Sequence, residues 1–393
     1  MARLQRQPVG VIIQQGGEFG RNILRGVHAY VLEGRPWHVL VADHRPEMIA
    51  TLARQSPAGL VAFVPDRAVL EAVLALGVPT VNVSGWMPDP IGPPRVRVDD
   101  EAIARRVAAH LRGRGLRHLA VLSMWGAAWA ERRERAFAAA LAEAGAGVPA
   151  TMAAFPDPDP TAGPERPGEH RRLTAWLASL PKPLGLFAVN DDHAFAAADA
   201  CRQAGLRIPA DVALVGVDND ELLCELAWPP LSSVDPHTRQ VGYEAARLLE
   251  RLMAGEPSPL PTGVPVLVPS GEVIARQSSA VLAASDAEVA AAVTFIADHA
   301  QEGIDVSDVL AHVTVGRRSL EQRFRAALGR TVAAEIRRAR IDAARVLLAR
   351  TDLPVRAVAR RCGFRSAQRF HVAFRQVTGT TPTTFRRASR APG

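Results

Sequence analysis

Short apolar runs alternate with longer amphipathic segments along the first 275 residues of the chain. The runs are rich in Val, Leu, Ile and Ala, which is typical of strands that are buried on both faces of a parallel sheet. Seven of them predict strands, at residues 9–13, 38–42, 59–64, 80–83, 118–123, 185–189 and 212–217. The intervening segments predict helices, among them residues 21–33, 101–112, 132–143 and 193–204. This order predicts an α/β architecture in which helices cover both faces of parallel sheets.

The periodicity changes near residue 280. Residues 275–287 are mostly small or polar, and beyond them no strand-like alternation follows. The rest of the chain predicts helices that are separated at Gly and Pro residues. We therefore predict a body at residues 1–277, a linker at 278–285 and a helical domain at 286–393.

The helical domain contains a first segment that predicts a helix, a tight turn and a second helix. Residues 306–312 form the first helix, and the turn passes through Gly316. The second helix places Leu320, Phe324 and Leu328 on one face, since they follow at intervals of four. Its opposite face carries Arg318, Glu321 and Gln322.

A second segment of the same kind follows. Residues 355–361 form its first helix, and Ser366 is a candidate N-cap for the next one. Phe370 and Phe374 point inward on that helix. The residues left outward or at its flank are Ala367, Gln368, Arg369 and His371. A helix presented in this way fits the major groove, where Arg pairs with guanine and Gln with adenine.

The charge distribution supports a nucleic-acid partner for the helical domain. From Ser285 onwards the chain carries 19 arginines and no lysine against 10 acidic residues, whereas residues 1–284 carry 28 basic and 30 acidic ones. Positive charge that is confined to one domain favours binding to phosphates, because it releases condensed counterions.

Polar side chains collect after the predicted strands of the body. Asp191 follows one strand, Asp218 and Asn219 follow another, and Arg133 lies near the start of a helix. Ligands of open α/β sheets bind in the crevice beside the carboxyl ends of the strands. Carboxylates, an amide and a guanidinium, together with aromatic rings, suit a neutral polyol.

An enzyme is the alternative interpretation. The segment QQGGEFGR follows the first strand and opens a helix, which is typical of a nucleotide- or NAD-binding oxidoreductase. The glycine spacing differs from G-x-G-x-x-G, and the sequence contains no motif for a catalytic nucleophile or a metal ion. We therefore expect no enzymatic activity, no cofactor and no metal.

Hydropathy and cysteine content favour a cytoplasmic protein. The uncharged apolar stretch Leu119 to Ala130 covers 12 residues, fewer than the roughly 20 that a membrane-spanning helix needs. Residues 9–13 are too few for the apolar core of a secretory signal. The three cysteines, Cys201, Cys224 and Cys362, have no metal-ligand spacing, and we expect them to be buried thiols.

The C-terminal motifs resemble the AraC/XylS family of transcription regulators over about residues 286–389. They are RRSLEQRF and LPVRAVARRCGFRSAQRFHVAFRQVTGTTPTTFRR. The resemblance implies a seven-helix module that places two recognition helices in successive major grooves of double-stranded operator DNA. It implies base contacts from Arg318, Glu321, Gln322, Gln368, Arg369 and His371, with Ala367 beside them. Glu321 departs from the family pattern, and an acidic side chain there must either find a cytosine amino group or stay off the bases.

The body resembles the sugar-sensing domain of the LacI/GalR family over about residues 8–275. The motifs are NDDHAF, GLRIPADVALVGVDND and PPLSSVDPHTRQVGYEAARLL. The resemblance implies a two-lobed domain, similar to periplasmic sugar-binding proteins, that closes on a monosaccharide. It implies a sugar site made of Phe19, Arg21, Trp86, Arg133, Asp191, Asp218 and Asn219.

The two resemblances together imply a regulator of transcription. We expect a homodimeric activator of a sugar utilisation operon, with a pentose such as D-xylose as effector and RNA polymerase as a further partner. Binding of the sugar would change the affinity for DNA.

Overall fold

The computed structural model describes residues 6–89, 92–143, 151–154, 168–258, 261, 263–280, 287–328 and 330–390. Residue contacts divide the chain into two compact units, Met1–Ser279 and Ala280–Gly393. Residues 281–285 of the predicted linker lie outside the described residues, whereas Ser278 and Ser279 are buried within the first unit. The first unit therefore extends two residues beyond the predicted body.

Two large sheets of the first unit form two lobes. The strands of the first sheet are β1 (Gln7–Ile12), β2 (Trp37–Ala42), β3 (Gly59–Ala62) and β4 (Thr80–Asn82). They are parallel and lie in the order β2-β1-β3-β4. The helices around this sheet are α1 (Glu18–Leu32), α2 (Pro46–Ala53), α3 (Arg67–Leu74) and, from later in the chain, α9 (Thr238–Met253).

The second sheet has six strands. They are β6 (His118–Leu122), β7 (Thr151–Ala154), β8 (Leu184–Ala188), β9 (Val212–Val217), β10 (Ser232–Val234) and β12 (Val273–Ile274). Their order is β12-β10-β9-β8-β6-β7, and β12 alone runs antiparallel to its neighbour. The helices of this lobe are α4 (Asp100–Arg112), α5 (Ala128–Glu143), α6 (Glu169–Ser179), α7 (Asp191–Gln203) and α8 (Glu221–Leu226).

The chain passes between the lobes three times, and a short parallel ribbon marks two of these passages. It pairs β5 (Val96–Val98) with β11 (Val266–Val268). The third passage follows β10 and leads into α9. All seven predicted strands are present, and the predicted fold class is confirmed. The prediction missed β5, β7, β10, β11 and β12, because each has only two to four residues and lacks a long apolar run.

The second unit is helical. Its seven described α-helices are α10 (Ala287–His299), α11 (Val306–Ala311), α12 (Arg317–Leu328), α13 (Val332–Arg350), α14 (Val355–Arg361), α15 (Ala367–Thr378) and α16 (Pro382–Arg390). The predicted inward faces are confirmed. Leu320 and Phe324 are fully buried in one core, and Phe370 and Phe374 are fully buried in another.

Cys201, Cys224 and Cys362 are buried free thiols, as predicted. Among the described helices, none is both long enough and apolar enough to cross a bilayer.

The crossing of α1 and α9 depends on two glycines. A Cβ on Gly26 would meet the carbonyl oxygen of Arg239, and a Cβ on Gly242 would meet that of Ile23, both well inside contact distance. We expect Gly26→Ala to lower the free energy of unfolding of the first unit by about 2 kcal/mol or more, because backbone atoms must move apart. Denaturant unfolding measures this loss.

Gly16→Ala is the matched control. A Cβ at Gly16 meets no atom within 4 Å, so the same substitution adds no contact there. Equal unfolding free energies for the two variants would contradict the close approach at Gly26.

Candidate ligand cleft and nucleic-acid interface

A cleft of about 440 Å³ lies between the lobes of the first unit. Its walls come from segments that follow the carboxyl ends of strands, among them the loops after β1, β4, β8 and β9. This is the expected ligand position in open parallel sheets. Six of the seven residues predicted for the sugar site line the cleft, namely Phe19, Arg21, Trp86, Arg133, Asp191 and Asp218.

Arg133 is a buried cation at the floor of the cleft. Arg133 is only 4% exposed. Its Nε donates to Asp100 Oδ1 at 3.0 Å, and an Nη donates to the carbonyl oxygen of Val189 at 2.5 Å. The guanidinium also stacks over Trp129, 4.7 Å from the ring centroid. These contacts fix the orientation of the side chain before any ligand binds.

Asp100 is a cleft residue that sequence reasoning missed. Its carboxylate is buried and accepts hydrogen bonds from Arg132 at 3.0 Å and Arg97 at 3.4 Å, in addition to Arg133. Asp100 and Arg97 line the cleft. The only available signal was their position beside the short strand β5, which has three residues and carries no clear strand pattern.

Asp191 is held by donors from three different segments. Its Oδ1 accepts from Ser233 Oγ at 2.7 Å, and its Oδ2 accepts from the backbone N–H of Asp220 at 2.8 Å. The Cys224 thiol approaches the same Oδ2 at 3.4 Å. Burial raises the pKa of Asp191 to about 7, although these hydrogen bonds and Arg276 oppose the shift. Asp191 begins α7, which Asn190 caps by accepting the N–H of His193 at 2.9 Å.

Asp218 has a still less favourable environment for a charge. Burial raises its pKa well above the ordinary value, and Asp191, Asp192 and Asp220 add to the shift, while Arg133 opposes it. The residue has a φ of 116°, which is rare outside glycine. Buried carboxyl groups with raised pKa values are typical of functional sites.

Asn219 does not line the cleft. Its Oδ1 accepts a hydrogen bond from an Nη of Arg276 at 2.8 Å, and its backbone N–H donates to Ser233 Oγ at 3.0 Å. The side chain therefore points away from the carboxylate of its neighbour Asp218, because the turn at these two residues directs them apart.

Aromatic rings form two walls of the cleft. Phe19 packs edge to face on Phe63 with centroids 6.1 Å apart, and Trp86 packs on Trp129 at 6.5 Å. The side chain of Arg21 is 42% exposed, and its guanidinium pairs with Glu18 at 2.9 Å. Phe63 and Trp129 add apolar surface to the predicted set.

In the second unit, α12 exposes part of its predicted face. Arg318 and Gln322 are exposed. Glu321 is less accessible, since its side chain is 21% exposed and lies 4.0 Å from Arg325. Glu321 thus lies beside Arg325 of its own helix, whereas Arg318 and Gln322 are accessible to a binding partner.

Helix α15 presents the second predicted face. Ser366 caps it by accepting the N–H of Arg369 at 3.2 Å, as the sequence predicted. Gln368, Arg369 and His371 are exposed, and Ala367 is half-buried. A ring nitrogen of His371 donates to the carbonyl oxygen of Ala367 at 3.1 Å, which restrains the ring.

Arg340 connects the two helix-turn-helix segments. It extends from α13 and donates to the carbonyl oxygens of Ala300 at 2.8 Å and Ile304 at 2.5 Å. Its guanidinium also lies over Phe364 of the second segment, 5.8 Å from the ring centroid. This side chain therefore ties the segment before α11 to the turn between α14 and α15.

Comparisons with known proteins agree with this organisation. Residues 108–279 match the family described as a periplasmic binding protein-like domain, and residues 309–388 match a helix-turn-helix domain. The xylose operon regulatory protein of Escherichia coli (strain K12) is 29% identical over 97% of both chains. The same protein of Haemophilus influenzae is 28% identical over 97% of this chain and 98% of its own.

Solved structures extend the similarity. The structure of a xylose-binding transcription activator, xylR, superposes with a TM-score of 0.74 at 28% identity and covers 98% of each chain. A LacI family regulator from Enterococcus faecium with bound ribose shares the fold of the first unit, with a TM-score of 0.55 at 22% identity over 70% of this chain and 100% of its own.

These full-length relatives are transcription regulators and not enzymes, so they do not support the oxidoreductase alternative. The chain is a transcription regulator that joins a periplasmic binding protein-like domain of the LacI type to an AraC-type helix-turn-helix domain.

Proposed function

We propose that this regulator is a cytoplasmic activator of a pentose utilisation operon and that a neutral sugar, D-xylose or a close relative, binds in the cleft. The observation that carries the proposal is the cleft itself, in which buried carboxyl groups and arginines face one another between aromatic walls. Regulators of xylose operons are similar over the whole chain, which supports the choice of sugar.

The charge of the lining favours a neutral ligand. Six acidic side chains line the cleft, against three arginines. They are Glu18, Asp100, Asp191, Asp192, Asp218 and Asp220, with Arg21, Arg97 and Arg133. An anionic sugar would meet those of these groups that are ionised, whereas hydroxyl groups can donate to the carboxyl oxygens and accept from the guanidinium groups.

Arg97 offers a donor for such a hydroxyl group. Its Nε is buried and has no hydrogen-bond partner among the described residues. A buried donor without a partner costs about 1–3 kcal/mol, which a ligand oxygen would offset. We propose Arg97 as a ligand residue beside the predicted set.

DNA binding belongs to the second unit in this proposal. Arg318 and Gln322 on α12 and Gln368, Arg369 and His371 on α15 would contact base edges in two successive major grooves, with Glu321 and Ala367 beside them. A homodimer would present four such helices and recruit RNA polymerase. A sugar-dependent coupling of about 1–3 kcal/mol changes DNA occupancy by about 5- to 150-fold.

The effector is tested by thermal unfolding of the full chain with D-xylose, D-ribose, L-arabinose, D-glucose, D-xylonate and NAD. We expect a neutral pentose to raise the melting temperature, because it binds only the folded state. We expect no shift with D-xylonate, since the lining opposes a carboxylate. Trp86→Ala should weaken pentose binding about 10-fold by removing the ring wall.

Trp228→Ala is the matched control, because Trp228 is 81% exposed and does not line the cleft. Its pentose affinity should equal that of the wild type. A shift with NAD alone would contradict the sugar sensor and favour the oxidoreductase alternative.

Asp218→Asn should stabilise the first unit while it abolishes pentose binding. The folded wild type retains a proton on Asp218 that the unfolded chain releases near pH 3.8, so its free energy of unfolding falls as pH rises above that value. The variant lacks this loss. Its stability advantage over the wild type should therefore grow as the pH rises from 4 to 8. Urea unfolding from pH 4 to pH 8 measures the difference.

Asp199→Asn serves as the control, since Asp199 is an exposed carboxylate whose pKa is lowered by Arg202. That variant should gain no stability at pH 8. A D218N variant that is less stable than the wild type at pH 8 would contradict the assignment of a buried, proton-retaining carboxyl group.

Arg369→Ala should remove discrimination at one base position. The exposed guanidinium can contact guanine in a bidentate manner, and its loss should cost about 1–3 kcal/mol at that base pair. The measurement is binding of the full chain to an operator selected from randomised double-stranded DNA, and to its single-base variants.

Arg375→Ala, in the last turn of the same helix, is the control. It should leave the base preference unchanged. A uniform loss of affinity for all DNA sequences in the R369A variant, with a smaller salt dependence, would show that Arg369 contacts phosphate instead of a base.

A further inference from the structure

Asn219 and Arg276 join the cleft to the end of the first unit. Asn219 follows the cleft carboxyl group of Asp218, and Arg276 lies three residues before Ser279, where the first unit ends. The two side chains meet at 2.8 Å. The contact therefore connects the ligand-binding loop to the segment that leads into the helix-turn-helix unit.

Arg276 is the first residue of the exit segment, residues 276–279, and several hydrogen bonds fix it there. A second Nη donates to the carbonyl oxygen of Leu231 at 2.9 Å. The backbone N–H of Arg276 donates to Ser232 Oγ at 2.8 Å, and that hydroxyl donates back to the carbonyl oxygen of Arg276 at 3.1 Å. The guanidinium thus moves with the backbone of β10 and of the exit segment.

The last residues of the exit segment are hydrogen-bonded to the second sheet. Ser278 Oγ donates to the carbonyl oxygen of Leu214 at 2.6 Å and accepts from the N–H of Ser232 at 2.8 Å. Ser279 Oγ donates to Ser232 Oγ at 2.8 Å. His110 completes the chain, since its Nε2 donates to Ser279 Oγ at 2.8 Å and burial lowers its pKa to about 3, which keeps the ring neutral.

The neighbouring serine of β10 serves the cleft. Successive residues of a strand point to opposite faces, so Ser233 faces away from Ser232. Ser233 Oγ donates to Asp191 and accepts the N–H of Asn219. One buried strand therefore carries a contact to the ligand carboxyl groups on one side and a contact to the exit segment on the other.

We propose that Asn219 and Arg276 are positioning residues that transmit occupancy of the cleft to the exit segment. Asp218 and Asn219 have consecutive positive φ angles of 116° and 48°, so they form a tight turn. A ligand that displaces Asp218 then also displaces the Asn219 amide relative to Arg276. The inference rests on the proposed function, because it requires a sugar in the cleft.

The test separates sugar binding from the response of DNA binding. Asn219→Gly removes the amide and tolerates the positive φ, whereas Asn219→Asp keeps an acceptor for Arg276. Each full-length variant is measured for D-xylose affinity by calorimetry, and for affinity to the selected operator with and without D-xylose. We expect the N219G variant to bind D-xylose within about 3-fold of the wild type, with its D-xylose-dependent change in operator affinity reduced at least 5-fold.

The matched variants sharpen the result. The N219D variant should keep the response of the wild type. Arg276→Met should reproduce the loss that Asn219→Gly causes, and the double variant should lose no more of the response than R276M alone, since both substitutions remove the Asn219–Arg276 contact. Arg202→Met, which removes an exposed arginine of the same lobe, should leave the response intact.

Two results would overturn the inference alone. One is a wild-type response to D-xylose in both the N219G and R276M variants. The other is a proportional loss of D-xylose affinity in the N219G variant, which would make Asn219 a ligand residue. If operator binding by the wild type does not respond to D-xylose, the proposed function fails, and this inference fails with it.

Discussion

The cleft depends on one buried carboxylate, that of Asp100. Three arginines donate to it, from β5 and from α5, and one of them, Arg132, also donates to the carbonyl oxygen of Gly85 in the loop after β4. A buried guanidinium without a counter-charge would cost several kcal/mol. Asp100 therefore makes it possible for Arg133 to stand at the floor of the cleft as a fixed cation. Because β4 and α5 belong to different lobes, the same cluster also ties the two lobes together at the ligand site.

The opposite wall of the cleft carries carboxyl groups in place of arginines. Asp191 is buried and Asp218 is half-buried, and the carboxyl groups of both have raised pKa values. Arg133 opposes the shift at Asp218, so the cation on one wall partly stabilises the charge on the other. These carboxyl groups have lost hydrogen bonds to water, which costs free energy. Hydroxyl groups of a ligand would supply hydrogen bonds in their place. The electrostatic features that reduce stability are thus the ones that favour a polyhydroxylated ligand.

The sequence predicted the long elements and the residues that follow them. Seven apolar runs became strands, and six of seven predicted cleft residues line the cleft, because parallel strands deliver their carboxyl ends to one edge. The sequence did not predict the crossover strand β5, because three residues show no periodicity. Asp100 and Arg97, which lie on or beside this strand, were therefore not identified as cleft residues. Asn219 shows a different limit, because its orientation depends on the positive φ angles of two residues, which composition does not encode.

Adjacent residues of similar chemistry have different roles at three places in this unit. Arg132 donates to the loop after β4, whereas Arg133 donates to the backbone after β8. Ser232 contacts the exit segment, whereas Ser233 contacts Asp191. Asp218 lines the cleft, whereas Asn219 contacts Arg276. On a helix, neighbours diverge by about 100°, and on a strand they lie on opposite faces. Each pair therefore places one group in the ligand site or against a residue of that site, and the other in the framework behind it. In the proposed transmission, recognition and response use the same few residues, because the backbone joins the two members of each pair.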